Sequence, residues 1–211
     1  MQFTFKIGSK IKEAWPIYKG NFSTFLLLMV ITMVVKYVGS KDNWVLMIMS
    51  YVVSLLLAFI WIRFTLGLID KKIFNPFLRE ALPSLTQYWN LLKTIILYSL
   101  CVLAGVILLV IPGFYVSGRL LFVIYLSIDK NQGGVVTIKE AWNMTKGYGW
   151  KLLWKSFLIG LFMALGFVAL FFGSFVTYPL GMIVMAMMYR EFSKMKLQNI
   201  TETTSSPLSV Q

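Results

Sequence analysis

Ile11-Lys12-Glu13-Ala14-Trp15 recurs letter for letter as Ile138-Lys139-Glu140-Ala141-Trp142, and both copies reach Lys-Gly after the same gap, at Lys19-Gly20 and Lys146-Gly147. A looser copy, Leu78-Arg79-Glu80-Ala81-Leu82, stands between them and, like the first, is followed at once by proline (Pro16, Pro83). Each copy opens onto a long apolar run. The pattern reads as three units, about 3–70, 71–130 and 131–196, each a basic amphipathic helix feeding a pair of membrane crossings.

Composition supports that solvent. Of 211 residues, 58% are hydrophobic and 13% charged, against roughly 45–50% and about 25% in soluble domains. The mean hydropathy is +0.76. Several runs reach the roughly 17–25 apolar residues that cross a bilayer, so the expected fold is an all-α membrane protein. No small-residue cleavage site follows the first run, which is therefore expected to remain as an anchor.

In the first unit Ile7, Ile11, Ala14/Trp15, Tyr18 and Phe22 fall at helical spacing, with Lys6, Lys10, Lys12 and Lys19 elsewhere on the wheel. An apolar stripe ringed by lysines suits a helix lying in the membrane interface. Pro16 removes the amide that would bond the Lys12 carbonyl, which predicts a bend there. Crossings are expected at about Phe22 to Val38, Trp44 to Ile69, Trp89 to Ile111, Phe114 to Ile128, Trp150 to Phe172 and Phe175 to Tyr189. Pro112-Gly113 and Gly173-Ser174 are turn signals, and Gly147 and Gly149 supply flexibility where Asn143 replaces the proline. The polar tail, 197–211, has the composition of a disordered segment. A five-crossing alternative, with Pro112 kinking one long span, puts Lys139, Lys146, Lys151 and Lys155 outside and is disfavoured.

The cations decide orientation. Nearly all flank the starts of odd crossings and the ends of even ones, so both termini and all three amphipathic helices are expected on the cytoplasmic side. The net charge of +12 then faces anionic lipid rather than nucleic acid. Lys6, Lys10, Lys12, Lys139 and Lys146 are candidate lipid contacts, with Trp15 and Trp142 as anchors at headgroup depth.

Two arginines lie within apolar runs, where an ionisable residue is a functional hypothesis by default. Arg119 leans toward the outer surface and can snorkel there; the sharper alternative is an inward-facing cation that holds an anion. Arg63 stands about 10 Å of helix rise from Asp70, too far for a direct pair, so a partner within the bundle is expected. Glu13, Glu80 and Glu140 occupy equivalent positions and suit polar-face chemistry; convergence about a threefold axis is the alternative. Asp70 and Asp129 each end an even crossing beside a lysine, where topology explains them. Gly160 and Ala164 fit close helix packing, with Gly166 and Gly173 extending the theme.

Enzyme classes find little support. The chain has no histidine and one cysteine, Cys101, so it offers no Ser/His/Asp or Cys/His set and no thiolate metal site, and the sequence carries no phosphate-loop pattern. No cofactor is expected.

Pro112-Gly113-x-Tyr115-x-x-x-Arg119, then Asp129-Lys130, then Ala141-Trp142-x-x-Thr145-x-Gly147-x-x-Trp150 resembles a class of bacterial multi-pass proteins related to the membrane domain of some glycerophosphoryl diester phosphodiesterases. The resemblance is specific over about Ile111 to Lys155 and implies a six-helix bundle in a bacterial inner membrane. It implies no activity, because the phosphodiesterase domain is absent. The expected function is non-enzymatic work at the bilayer, through anionic lipid of the cytoplasmic leaflet, or as a membrane partner subunit or homo-oligomer. A small-solute or lipid transporter and an accessory to peptide export or immunity are the alternatives.

Overall fold

The structure, a computed structural model, describes residues 5–40, 43–71, 82–108, 110–168 and 173–205. Most of the loose repeat, with Arg79 and Glu80, lies outside the described residues. The described chain is helical: α1 Ile7–Gly20, α2 Phe22–Gly39, α3 Trp44–Ile69, α4 Leu85–Leu108, α5 Val110–Arg119, α6 Val123–Lys130, α7 Val135–Met144, α8 Gly149–Val168 and α9 Ser174–Ser205.

Among the described residues, three helices are long and apolar enough to cross a membrane, at Phe22–Gly39, Trp44–Ile69 and Leu85–Ile107. Only 17%, 28% and 17% of their most apolar windows are buried by the rest of the protein, so their remaining apolar surface calls for a covering of lipid. In that solvent the helices gain little from apolar burial. Close packing and satisfied polar groups hold them together instead.

Helix boundaries follow local chemistry. The Asn43 side chain opens α3 by accepting from the Val45 amide at 2.9 Å. A capping box opens α4: the Ser84 amide donates to Gln87 Oε1 at 3.0 Å and the Gln87 amide to Ser84 Oγ at 3.3 Å. Asn131, at φ 53°, ends α6 in the left-handed region, and Gly134, at φ 68°, starts α7 where a side chain would be strained.

Helix α1 contains Pro16 and continues to Gly20, and the chain leaves helical geometry at Asn21. Several expectations need correction. Pro112 and Gly113 lie in the first turns of α5, where a missing amide costs little, rather than forming a turn. The fourth apolar run is not one helix: Leu120–Phe122 separate α5 from α6. Helix α9 continues to Ser205, past the expected start of the disordered tail. Gly160 has nothing within reach of an added Cβ and Ala164 is exposed, so among these small residues it is Gly166 that makes a close approach, against the Thr177 side chain.

Helix α9 is the central element, packed against α8, α1, α3 and α2. Ile183, Ala186, Met188, Tyr189 and Phe192 are buried along it. Phe25 of α2 meets Trp61 and Phe64 of α3, with ring centroids 5.7 and 5.1 Å apart. Helix α4 packs on α5, α6 and α7, and α5 on α8.

Candidate functional site

Three helices end or pass together at one corner of the bundle. Asp70 is the C-cap of α3 and Asp129 lies in the last turn of α6. A carboxylate is unfavourable there, because a helix C-terminus already carries partial negative charge. Arg190 of α9 answers both. Its Nη1 donates to Asp129 Oδ2 at 2.6 Å, while Nη2 donates to Asp129 Oδ1 at 2.8 Å and to Asp70 Oδ2 at 2.6 Å. The Tyr189 hydroxyl adds a 2.8 Å bond to Asp129 Oδ2. Burial works against the charge on Arg190, but hydrogen bonding and charge from Asp129, then Asp70, outweigh it and raise its pKa. The guanidinium fork makes this possible: one planar group serves two carboxylates from two directions.

Beside this joint is a cavity of about 270 Å³, into which Arg63, Gln87 and Asn131 also face. Arg63, flanked by the Phe59 ring at 5.8 Å, therefore shares a cavity with Asp70. A second, larger pocket of about 520 Å³ lies on the other side of Arg190, between α6, α7 and α9, with Lys130, Glu140 and Lys196 at its wall.

Arg119 does not snorkel. It is 4% exposed, it donates through Nη2 to the Trp142 carbonyl, and its guanidinium lies 4.3 Å from the Trp142 ring centroid. Tyr115 accepts a longer bond at 3.4 Å. The backbone of Arg119 is tied as well. Its carbonyl is among the orphan acceptors at the end of α5, and the Thr145 hydroxyl donates to it at 2.6 Å. Gly149 leaves room for the side chain: a Cβ there would stand 2.8 Å from Arg119 Cδ. Tyr115, Arg119, Ala141, Trp142 and Thr145, spread over 31 positions of sequence, thus form one packed joint between α5, α7 and the start of α8.

The two intact repeats are used alike. Ala14 and Ala141 are both fully buried, at 0% exposure, while Trp15 and Trp142 are 41% and 38% exposed. Lys12 and Lys139 are exposed in both. Glu13 pairs with Lys10 at 2.7 Å, and Glu140 pairs with Lys130. These carboxylates therefore meet separate lysines and do not converge. Three residues on from the shared motif the hydroxyls also agree in role: Tyr18 donates to the Phe175 carbonyl at 3.2 Å as Thr145 does to that of Arg119.

Of the candidate lipid contacts, Lys6, Lys12, Lys139 and Lys146 are exposed. Lys10 is not available in the same way. It bridges Glu13 and Glu191 of α9; burial lowers its pKa, but those two partners outweigh that and raise it overall. Arg190 was the residue that sequence reasoning missed. Its one legible signal was position, since it closes the sixth apolar run as Asp70 and Asp129 close the second and fourth. Comparison of the chain with protein-family models, with curated proteins and with solved structures finds no match in any of the three.

Proposed function

We propose that this chain is a non-enzymatic, multi-pass protein of a bacterial inner membrane that works at the bilayer by engaging anionic lipid of the cytoplasmic leaflet. The six crossings are α2, α3, α4, the broken α5–α6 pair, α8 and the first half of α9, arranged as three hairpins with both termini cytoplasmic. One observation carries the reading: the two intact repeats each bury their alanine while presenting a lysine and a tryptophan outward. A repeated face of that composition suits headgroups, where each lysine contributes about 1 kcal/mol near an anionic surface and tryptophan rests at headgroup depth.

Two measurements test it. In a Cys101→Ala background, single cysteines at Ser9, Gln132 and Gln198 should label from the cytoplasm, and those at Asn43 and Gly173 from outside. Outside labelling at Gln132 would overturn the six-crossing arrangement. Replacing Lys6, Lys12, Lys139 and Lys146 with Gln should reduce the preference of the purified protein for phosphatidylglycerol over phosphatidylcholine while leaving its thermal stability unchanged. Full retention of that preference would move the repeated faces to a protein partner or a second copy. A transporter reading gains from one feature only, the polar cavity at Arg63 and Arg190.

A further inference from the structure

The pocket of about 520 Å³ between α6, α7 and α9 has the size of a ligand site, and its wall is divided by chemistry. Leu126, Met144 and Leu197 give it an apolar side, while Asp129, Lys130, Glu140, Arg190 and Lys196 supply the charges. Leu197 is 65% exposed, so the pocket is open to entry from outside the bundle.

Most of those charges are spent on one another. Asp129 is held by Arg190 and by the Tyr189 hydroxyl, and Glu140 pairs with Lys130 between α7 and α6. Lys196 pairs with no carboxylate among the described residues. Its ammonium lies instead 5.5 Å from the centroid of the Tyr148 ring. Lys151, in the first turn of α8, comes to 5.7 Å from the same centroid and also pairs with no carboxylate among the described residues. Two cations thus share one phenol ring, whose quadrupole attracts each of them and neutralises neither. Their mutual repulsion is answered by no carboxylate of the protein, and an anion brought in from outside would answer it.

We propose that this pocket seats one anionic amphiphile, with its head group on the Lys196 ammonium, Lys151 beside it at the Tyr148 ring, and an acyl chain along Leu126, Met144 and Leu197. Each half of the ligand is called for by one side of the wall. A bare anion would leave the apolar side uncovered, and an uncharged chain would leave the two ammonium groups unanswered. A single-chain phosphate or carboxylate and an anionic phospholipid share this chemistry. The inference relies on the bilayer reading above for the supply of such a ligand, but on none of the lysines assigned to the repeated faces.

The experiment uses the full chain with Cys101→Ala and Leu197→Cys in nanodiscs of phosphatidylcholine, where the rate of maleimide labelling at position 197 reports occupancy. Titration with decyl phosphate tests the single-chain source. Discs with added phosphatidylglycerol, read by the same labelling and by native mass spectrometry, test the phospholipid source. Saturable protection by either, at one ligand per chain, supports the site and says which source supplies it. Decanol, decylamine and inorganic phosphate should protect far less. Ser9→Cys, on α1, should show no protection, which separates occupancy of the pocket from a general change in membrane charge. Lys196→Gln should weaken protection about tenfold or more, the loss of one charge-assisted bond. Lys151→Gln should weaken it about three- to tenfold; as an exposed residue it carries the test if Lys196→Gln fails to fold. Lys12→Gln with Lys139→Gln should leave protection unchanged. Overturning results are no saturable protection from either source, equal protection by decanol, decylamine or phosphate, and protection indifferent to both pocket variants. Protection lost in the Lys12 and Lys139 variant but kept in the pocket variants would also overturn the proposal, while leaving the repeated faces as the lipid contact.

Discussion

Arg190 grips Asp129 with both arms of its guanidinium, at 2.6 and 2.8 Å, and reaches across to Asp70 with one of the same nitrogens, at 2.6 Å. The three side chains are 19%, 23% and 28% exposed, so water screens them in part. Removing the arginine alone should be worse than removing all three charges, because it leaves two carboxylates at two helix C-termini with no counter-charge. Arg190→Met is expected to destabilise the bundle by up to about 3 kcal/mol, the lower end of what breaking a buried pair costs. Adding Asp70→Asn and Asp129→Asn should recover part of that loss. Thermal unfolding in detergent checks both, and a triple variant less stable than Arg190→Met would show that the joint is not electrostatic.

The Thr145 hydroxyl completes the end of α5. Thr145→Val keeps the shape and deletes the donor, leaving the Arg119 carbonyl without it. The expected cost is about 1–3 kcal/mol, with Thr145→Ser close to the native protein. Equal loss in the valine and serine variants would assign the effect to the methyl group and its packing instead.

These two joints mark where the sequence was and was not legible. The faces of α1 and α7 were legible, because burial of Ala14 and Ala141 beside exposed Lys12 and Lys139 is a local pattern that helical periodicity reveals. The Arg190 joint was not, because each aspartate already had a local explanation in the lysine beside it, and the arginine is 120 positions from Asp70. The break after Arg119 was also hidden. Arg119-Leu120-Leu121-Phe122 holds neither glycine nor proline, and its signal lies in another part of the chain, where Thr145 captures the carbonyl that a continuous helix would have used. Pro112-Gly113 misled in the other direction, since a helix tolerates proline in its first turn.

Ala14 and Ala141 are positions where any larger side chain must displace a neighbour. Ala14→Leu and Ala141→Leu should each destabilise by about 1–3 kcal/mol through overpacking, whereas Lys12→Leu and Lys139→Leu should stay within about 0.5 kcal/mol. Melting temperatures of the four variants decide the matter. Tolerance of leucine at Ala14 but not at Ala141 would mean that the repeated helices dock differently despite their shared sequence.

Gly118 permits the approach of α5 to α8. A Cβ there would stand 2.6 Å from the Gly149 carbonyl oxygen, a backbone atom that cannot swing aside. Gly118→Ala is expected to separate the two helices and cost about 1–3 kcal/mol, while Gly160→Ala, on an open face, should leave stability unchanged or raise it slightly through helix propensity. Comparable losses at the two positions would place the tight contact elsewhere on α8.

Trp15 and Trp142 share a motif position and similar exposure, yet they carry different cations. Lys19 lies 5.2 Å from the Trp15 ring centroid and is exposed. Arg119 lies 4.3 Å from that of Trp142 and is buried. A cation–π contact contributes about 0.5–1 kcal/mol when exposed and about 2 kcal/mol when desolvated, so the second copy should depend more on its indole. Trp142→Ala is expected to be more destabilising than Trp15→Ala, and Trp142→Phe should restore part of the difference by returning an aromatic face to Arg119. The bond from Arg119 to the Trp142 carbonyl survives both substitutions, which isolates the ring. Arg119→Met supplies the closing step of a double-mutant cycle: in that background Trp142→Ala should cost no more than Trp15→Ala does. A Trp142 penalty that persists without the arginine would assign the indole to membrane anchoring alone.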